Sequence, residues 1–209
     1  MWSSEVTNMI ITGIWETLYM TLVSTLVGYV IGLPMGIILT VSDKDGIKPN
    51  AVLYKILDVI ANIVRSVPFI ILLVLLIPFT RLVVGKSYGS TATIVPLVIA
   101  AAPYIARMVE SSLKEVDAGV IEAARSMGAS NFTIITKVML VEARTSLLVG
   151  ATITLGTILG YSAMSGAVGG GGLGAIAIRY GYTRWQTDIM IVTVILLIIL
   201  FQIFQTVGM

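Results

Sequence analysis

The groups that could do chemistry in this chain are few, and the absent ones decide most of the reading. Its 209 residues include no Cys and no His. Thiol nucleophiles, disulfides, imidazole acid–base catalysis and His or Cys metal sites are therefore closed. Eleven carboxylates and thirteen basic groups remain. They form no visible nucleophile–base pair and no ligand cluster, so the chain is expected to be neither a catalyst nor a metal protein. The formal net charge is only +2, with basic residues scattered among acidic ones. That is no footprint for nucleic acid. One string does suggest a cofactor: Gly169, Gly171 and Gly174 spell G-x-G-x-x-G. A dinucleotide site needs a strand before it and a parallel sheet around it, and here a long uncharged apolar run precedes it. No G-x-x-x-x-G-K-[ST] occurs, so the chain lacks an ATP-binding loop. If ATP drives its work, a separate subunit binds it.

The elements that must position these groups follow from where the charges lie. Only 11% of residues are charged, 57% are hydrophobic, and the mean hydropathy is +1.00. A soluble domain of this size could not hide so much apolar surface, which makes the bilayer the expected solvent. Uncharged runs cover Thr17 to Ser42, Ser66 to Thr80, Ser87 to Ala106, Thr145 to Ile178 and Ile189 to Met209. A helix needs roughly 20 apolar residues to cross the hydrocarbon core. The pattern predicts five spans, at approximately 16–42, 60–80, 88–107, 146–168 and 187–207. The second run is short, so its helix borrows from Asp58–Arg65 or from Leu82–Gly85. The fourth run holds one span and a glycine-rich exit.

Basic residues in short loops set the orientation. Nine lie in or at the ends of the first and third inter-span segments, among them Lys44, Lys48, Lys55, Arg107, Lys114, Arg125 and Lys137. Arg81, Lys86, Arg179 and Arg184 are the four on the other side. The richer side is expected to be cytoplasmic, with the N-terminus outside and the C-terminus inside. Met1-Trp2-Ser3-Ser4-Glu5 has no basic region of a signal peptide. Gly208-Met209 ends the chain without a basic anchor, an ending that fits truncation.

Two features inside the spans have open uses. Ser24, Gly28, Gly32 and Gly36 are spaced by four and share one helix face, the small-xxx-small pattern that lets membrane helices approach closely. Packing within one subunit and a contact between subunits both fit, and Pro34 among them should bend the helix. Gly169, Gly170, Gly171 and Gly172 disfavour a helix by roughly 1 kcal/mol each relative to Ala. They fit either an external loop or a hinge beside a pathway. Ser162, Met164 and Ser165 just before them are candidates for pathway lining, although Met is equally a core filler.

The segment between spans three and four carries the strongest pattern. Five of the eleven acidic residues lie there: Glu110, Glu115, Asp117, Glu122 and Glu142. Apolar residues recur at helical steps through Val109, Leu113, Val116, Val120, Ala124 and Met127. Asp117 reads as an N-cap, Gly128 as a left-handed stop, and Ser130 or Asn131 as the cap of a second helix. The spacing predicts a helix, a tight turn and another helix at the cytoplasmic surface. Such a helix either rests on lipid headgroups or docks into a groove of a cytoplasmic partner, with small Ala123 and Ala124 permitting close approach.

Glu122-Ala123-Ala124, three residues, Gly128, and then Val138-Met139-Leu140 resembles the EAA motif of ABC importer permeases. In that family the pattern runs E-A-A, x3, G, x9, I-x-L-P. Here Val138 replaces Ile and Val141 stands in place of Pro. Arg65-Ser66-Val67-Pro68-Phe69 is similar to an R-x-x-P element of polar amino-acid permeases. Ala102 to Glu110, and Gly160-Tyr161-Ser162-Ala163-Met164 with Gly166 to Gly174, look like the permeases of methionine importers. The resemblance covers nearly the whole chain. It implies an all-α membrane protein, a single type I ABC importer permease domain over 1–209, with five transmembrane helices. It implies a coupling segment at 115–130, with Glu122, Ala123, Ala124 and Gly128 seated in a cleft of the ATP-hydrolysing subunit. It also implies a second permease copy, two cytoplasmic ATPase subunits that use ATP and Mg, and an extracytoplasmic substrate-binding protein. No cofactor is expected on this chain itself. Methionine is the implied substrate, L- and possibly D-, moved by alternating access. A secondary transporter or channel, or a permease for another small amino acid or osmolyte, is the alternative. Ion-coupled carriers usually place Asp, Glu or His inside the bundle, which this chain disfavours.

Overall fold

The computed structural model describes residues 4–208. Expectations drawn from Met1 to Ser3 and from Met209 lie outside the described residues. The chain folds as α1 (Ser4–Ser42), α2 (Ala51–Ser66), α3 (Phe69–Leu75), α4 (Ile77–Val84), α5 (Ser90–Lys114) and α6 (Ala118–Ser126). Then come α7 (Asn131–Thr133), α8 (Leu140–Glu142), α9 (Arg144–Ser165), α10 (Gly172–Ile176) and α11 (Thr187–Gly208). Wider π-helical turns at Ile134–Met139 and Ala177–Tyr182 join α7 to α8 and follow α10. Among the described residues, four helices are long and apolar enough to cross a membrane, or five if α2 and α3 form one bent span.

α1 begins at Ser4, earlier than expected at 16. Its 39 residues are about 58 Å long, nearly twice the hydrocarbon thickness. Polar Glu5, Thr12 and Glu16 therefore sit on a part that extends beyond a single crossing. The helix continues unbroken through Pro34. α1 and α5 run parallel, and the small-residue face is their seam. A Cβ built on Gly32 would lie 2.6 Å from the Ala102 carbonyl and 2.7 Å from Ile105 Cβ. On Gly36 it would lie 2.6 Å from the Ala106 carbonyl. The two backbones touch, so these glycines serve packing within one chain.

The second span is not one straight helix. α2 and α3 meet at 101°. Pro68 lacks an N–H and forces Val67 into extended backbone, φ −82° and ψ 124°. α2 is also amphipathic: Asp58 and Asn62 face α5, while Val52, Ile56 and Ile63 are exposed.

The core lies where α1, α3, α5, α6 and α9 meet, built from Met20, Phe69, Leu97, Ile105, Val109, Leu113, Ala124, Ile134 and Ile158. Phe69 stacks flat on Tyr161 with ring centres 4.4 Å apart. Apolar side chains also cover the outside. Ile191, Ile195, Ile198 and Ile203 of α11 and Leu26 and Val30 of α1 are all exposed. In water that surface would be a liability, and in a bilayer it is the ordinary lipid-facing exterior.

Candidate functional site

Two ends of the bundle carry polar structure. At the basic end, α5 continues past the expected 107 to Lys114 because its late charges neutralise one another. Glu110, 4% exposed, receives Arg107 at 2.7 Å and Lys114 at 2.8 Å. Tyr54 of α2 donates to the same carboxylate at 3.3 Å. Arg107 also ion-pairs with Asp58 and donates to Asn62 at 3.0 Å, which fixes α2 on α5. Lys114 reaches Asp43 at 2.6 Å, which fixes the loop after α1. The Lys114 ammonium holds the Asp43 carboxyl below the usual carboxylate range. Sequence reading placed these acids near span ends but did not pair them across the fold.

Beyond Lys114 the chain turns at Glu115–Asp117, so the apolar period from Val109 to Met127 does not run through one helix. Asp117 caps α6 by accepting the Gly119 N–H at 2.7 Å. Gly128 ends it with φ +82°, and Ser130 caps α7 by accepting the Thr133 N–H at 3.2 Å. The pattern E-A-A divides across the helix. Ala124 is buried against the chain's own core, so close approach to anything outside falls to Ala123. Glu122 and Gly128 are exposed. Val120, Met127 and Phe132 are exposed as well, the last two at 82% and 76%. In the chain these three alternate with the charged Asp117, Glu122 and Arg125, and Val120 lies beside Glu115 and Asp117 at the surface. Exposed large apolar residues in a charged stretch of chain mark a protein contact. The break between α8 and α9 falls at Ala143 without the family's proline.

At the opposite end lies the glycine run. Gly169, Gly171 and Gly172 have φ of +85°, +89° and +72°, which only glycine adopts without strain. The run is pinned. Gly89 donates to the Gly169 carbonyl at 2.8 Å, and Thr93 to that of Gly170 at 3.3 Å. Glu16 accepts the Gly172 N–H at 2.7 Å, and Thr17 that of Leu173 at 2.9 Å. So α1 supplies the cap that α10 lacks in its own sequence. α10 then folds back on α9: a Cβ on Gly174 would lie 2.1 Å from the Ala163 carbonyl. A loose external loop is not what forms.

The pathway candidates separate. Ser162 donates to the Leu159 carbonyl at 2.7 Å and Ser165 to the Ser162 carbonyl at 2.6 Å, and both are buried. Their hydroxyls are taken up by their own helix. Met164 is 46% exposed on the other side of α9. Glu16 was missed, yet a signal existed. A run of glycine N–H groups packed inside the protein needs acceptors, and Glu16 is the carboxylate next to the first uncharged run.

Comparison with known proteins joins these observations. A family model described as "Binding-protein-dependent transport system inner membrane component" matches residues 28–207. A Vibrio cholerae protein named "Probable D-methionine transport system permease protein MetI" is 49% identical over 207 residues, covering 99% of this chain and 92% of that one. The Escherichia coli strain K12 "D-methionine transport system permease protein MetI" is 52% identical over 158 residues, covering 76% and 73%. A chain of the structure "Inward facing conformations of the MetNI methionine ABC transporter" superposes with a TM-score of 0.97 at 51% identity, covering 99% and 96%. A chain of an amino acid ABC transporter solved with histidines shares the fold, TM-score 0.79 at 22% identity.

Proposed function

The chain belongs to the family of binding-protein-dependent transport system inner membrane components, and on that premise we propose that it is the permease subunit of an ATP-driven methionine importer in a prokaryotic cell membrane. The observation that carries this reading is α6: a capped helix at the basic end that exposes Met127, Ala123 and Glu122 while Ala124 anchors it in the core. It is built to be pushed by a partner. In this reading the permease pairs with a second copy, two cytoplasmic ATPase subunits hydrolyse ATP with Mg, and an external binding protein delivers substrate. ATP binding closes the ATPases and moves α6, and the spans attached to it tilt to open the pathway outward. Hydrolysis resets it. Met164, exposed on α9, faces the pathway. The pinned glycine turn at Gly169, Gly170, Gly171 and Gly172 keeps the outer end closed to leakage while the spans move.

A carrier driven by an ion gradient needs an acid free to take up a proton or cation. Glu110, the buried carboxylate among the described residues, is already neutralised by Arg107 and Lys114, and the half-buried Glu16 is committed to the Gly172 N–H. The same geometry therefore disfavours a secondary transporter. L-Methionine is the first substrate, with the D-isomer named in the relatives as the second. Purification with the natural partners tests the reading: an ATPase subunit should co-purify, and methionine with its binding protein should stimulate hydrolysis. Absence of any co-purifying ATPase counts against it.

A further inference from the structure

The loop between α1 and α2 lies beside α6 and has no role in the reading so far. It is neither loose nor short of anchors. Asp43 pairs with Lys114 at 2.6 Å, and Arg125 of α6 donates to the Ile47 carbonyl at 2.9 Å. Inside the loop, Gly46 donates to the Asp43 carbonyl at 2.9 Å and Lys48 to the Val41 carbonyl at 3.0 Å. Gly46 is required there, since a Cβ would lie 2.4 Å from the Val41 carbonyl. Arg125 thus ties the loop to α6, and Asp43 ties it to α5. Yet the tip is held out: the Lys44 and Asp45 side chains are 85% and 84% exposed and pair with each other at 3.8 Å.

Between the tip and α6 runs a groove of about 640 Å³. Apolar Val116, Ile121 and Met139 line it together with charged groups of both signs, acidic Asp43, Asp45 and Glu122 and basic Lys44, Lys114 and Arg125. A lining of both signs does not suit a lipid surface, which favours basic residues alone. It suits a protein side chain with an apolar tip flanked by charged groups. The groove is continuous with the exposed face of α6, and whatever presses on α6 meets the loop at the same moment.

We propose that the Asp43–Lys48 loop is a second docking element for the cytoplasmic ATPase subunit, and that the groove between it and α6 receives an apolar side chain of that subunit. This rests on the reading of α6 as the ATPase-docking helix. A preformed two-sided groove holds its partner with less ordering cost than a single helix, and pulls it in both directions. Through Asp43–Lys114 and Arg107–Asp58, a force on the loop reaches α5 and α2 without passing through α6.

The chain contains no Cys, so single introduced cysteines are unique on it. Asp45→Cys in the loop, Ser126→Cys on α6 and Lys86→Cys at the far end each carry benzophenone-4-maleimide in the purified complex, followed by irradiation. The expected result is an adduct with the ATPase subunit from both Asp45→Cys and Ser126→Cys, each well above the Lys86→Cys background. An adduct from Ser126→Cys with only background from a labelled Asp45→Cys overturns the loop's role and leaves α6 docking intact. Background from both overturns the docking reading itself, and this inference with it. Methionine-stimulated hydrolysis of each unlabelled variant shows that the complex is assembled.

Discussion

Glu16 and Gly172 are 156 residues apart in the chain, and the carboxylate of one accepts the backbone N–H of the other at 2.7 Å. With Thr17 on Leu173 at 2.9 Å, this is a helix cap supplied by a different helix. It joins the start of the fold to the segment just before its last span.

Glu16→Ala removes the acceptor and leaves the Gly172 N–H buried without a partner, a loss of about 1–3 kcal/mol. Glu16→Gln keeps a carbonyl oxygen in place and should lose less. Thermal unfolding of the purified permease should rank wild type above Glu16→Gln above Glu16→Ala. Equal melting of all three would show that the cap does not hold the turn.

Glu110 is the hub of the basic-end network, and removing it leaves Arg107 and Lys114 facing each other with one buried partner gone. Glu110→Ala should destabilise the fold by about 3–5 kcal/mol, the range for breaking one side of a buried ion pair. The exposed Lys44–Asp45 pair should contribute far less. Denaturant unfolding of Glu110→Ala beside Asp45→Ala measures the contrast. A Glu110→Ala loss no larger than that of Asp45→Ala would show that the network is ornamental.

Asp43 gives the network a pH dependence of known sign. Its carboxyl titrates below the usual range because Lys114 favours the charged form. A carboxyl depressed on folding contributes stability that is present above its unfolded value near 4 and lost as pH falls through the lower folded value. The difference in melting temperature between wild type and Asp43→Asn should therefore be constant from neutral pH down to about 4 and shrink below it. A difference that grows on acidification would reverse the assignment.

Gly128 turns the chain with φ +82°, where a β-branched residue is strained by about 1–3 kcal/mol. Gly128→Val should redirect the exit of α6 while leaving the spans assembled. The expected result is ATP hydrolysis retained in the complex and methionine uptake lost. Normal coupled uptake in that variant would remove α6 from the coupling role.

The sequence made some of this legible and not the rest, for physical reasons. The caps at Asp117 and Ser130 and the left-handed Gly128 are local, set by neighbours within three residues, and spacing alone reveals them. The Gly28–Gly32–Gly36 face was visible, but its partner was not, because a small-residue stripe fits any helix that comes close enough. The bend at Pro68 was hidden behind hydropathy, which counts apolar residues and ignores direction. The outward turn of Met127 and the inward turn of Ala124 depend on where α6 meets the core. The Asp58–Arg107 and Glu16–Gly172 contacts are long-range, and charge pairs carry no marker of their partners. Spacing does not show that the Ser162 and Ser165 hydroxyls bond the preceding turn of their own helix, as a polar residue in a span can.

The central claim is that this permease is driven from below by ATP and not by an ion gradient. Proteoliposomes holding the chain with its ATPase subunits and supplied with the binding protein test it directly, by radiolabelled methionine uptake. The account predicts accumulation that requires ATP on the ATPase side and survives collapse of proton and sodium gradients. Uptake by the chain alone, without nucleotide and abolished by collapsing a gradient, would contradict it.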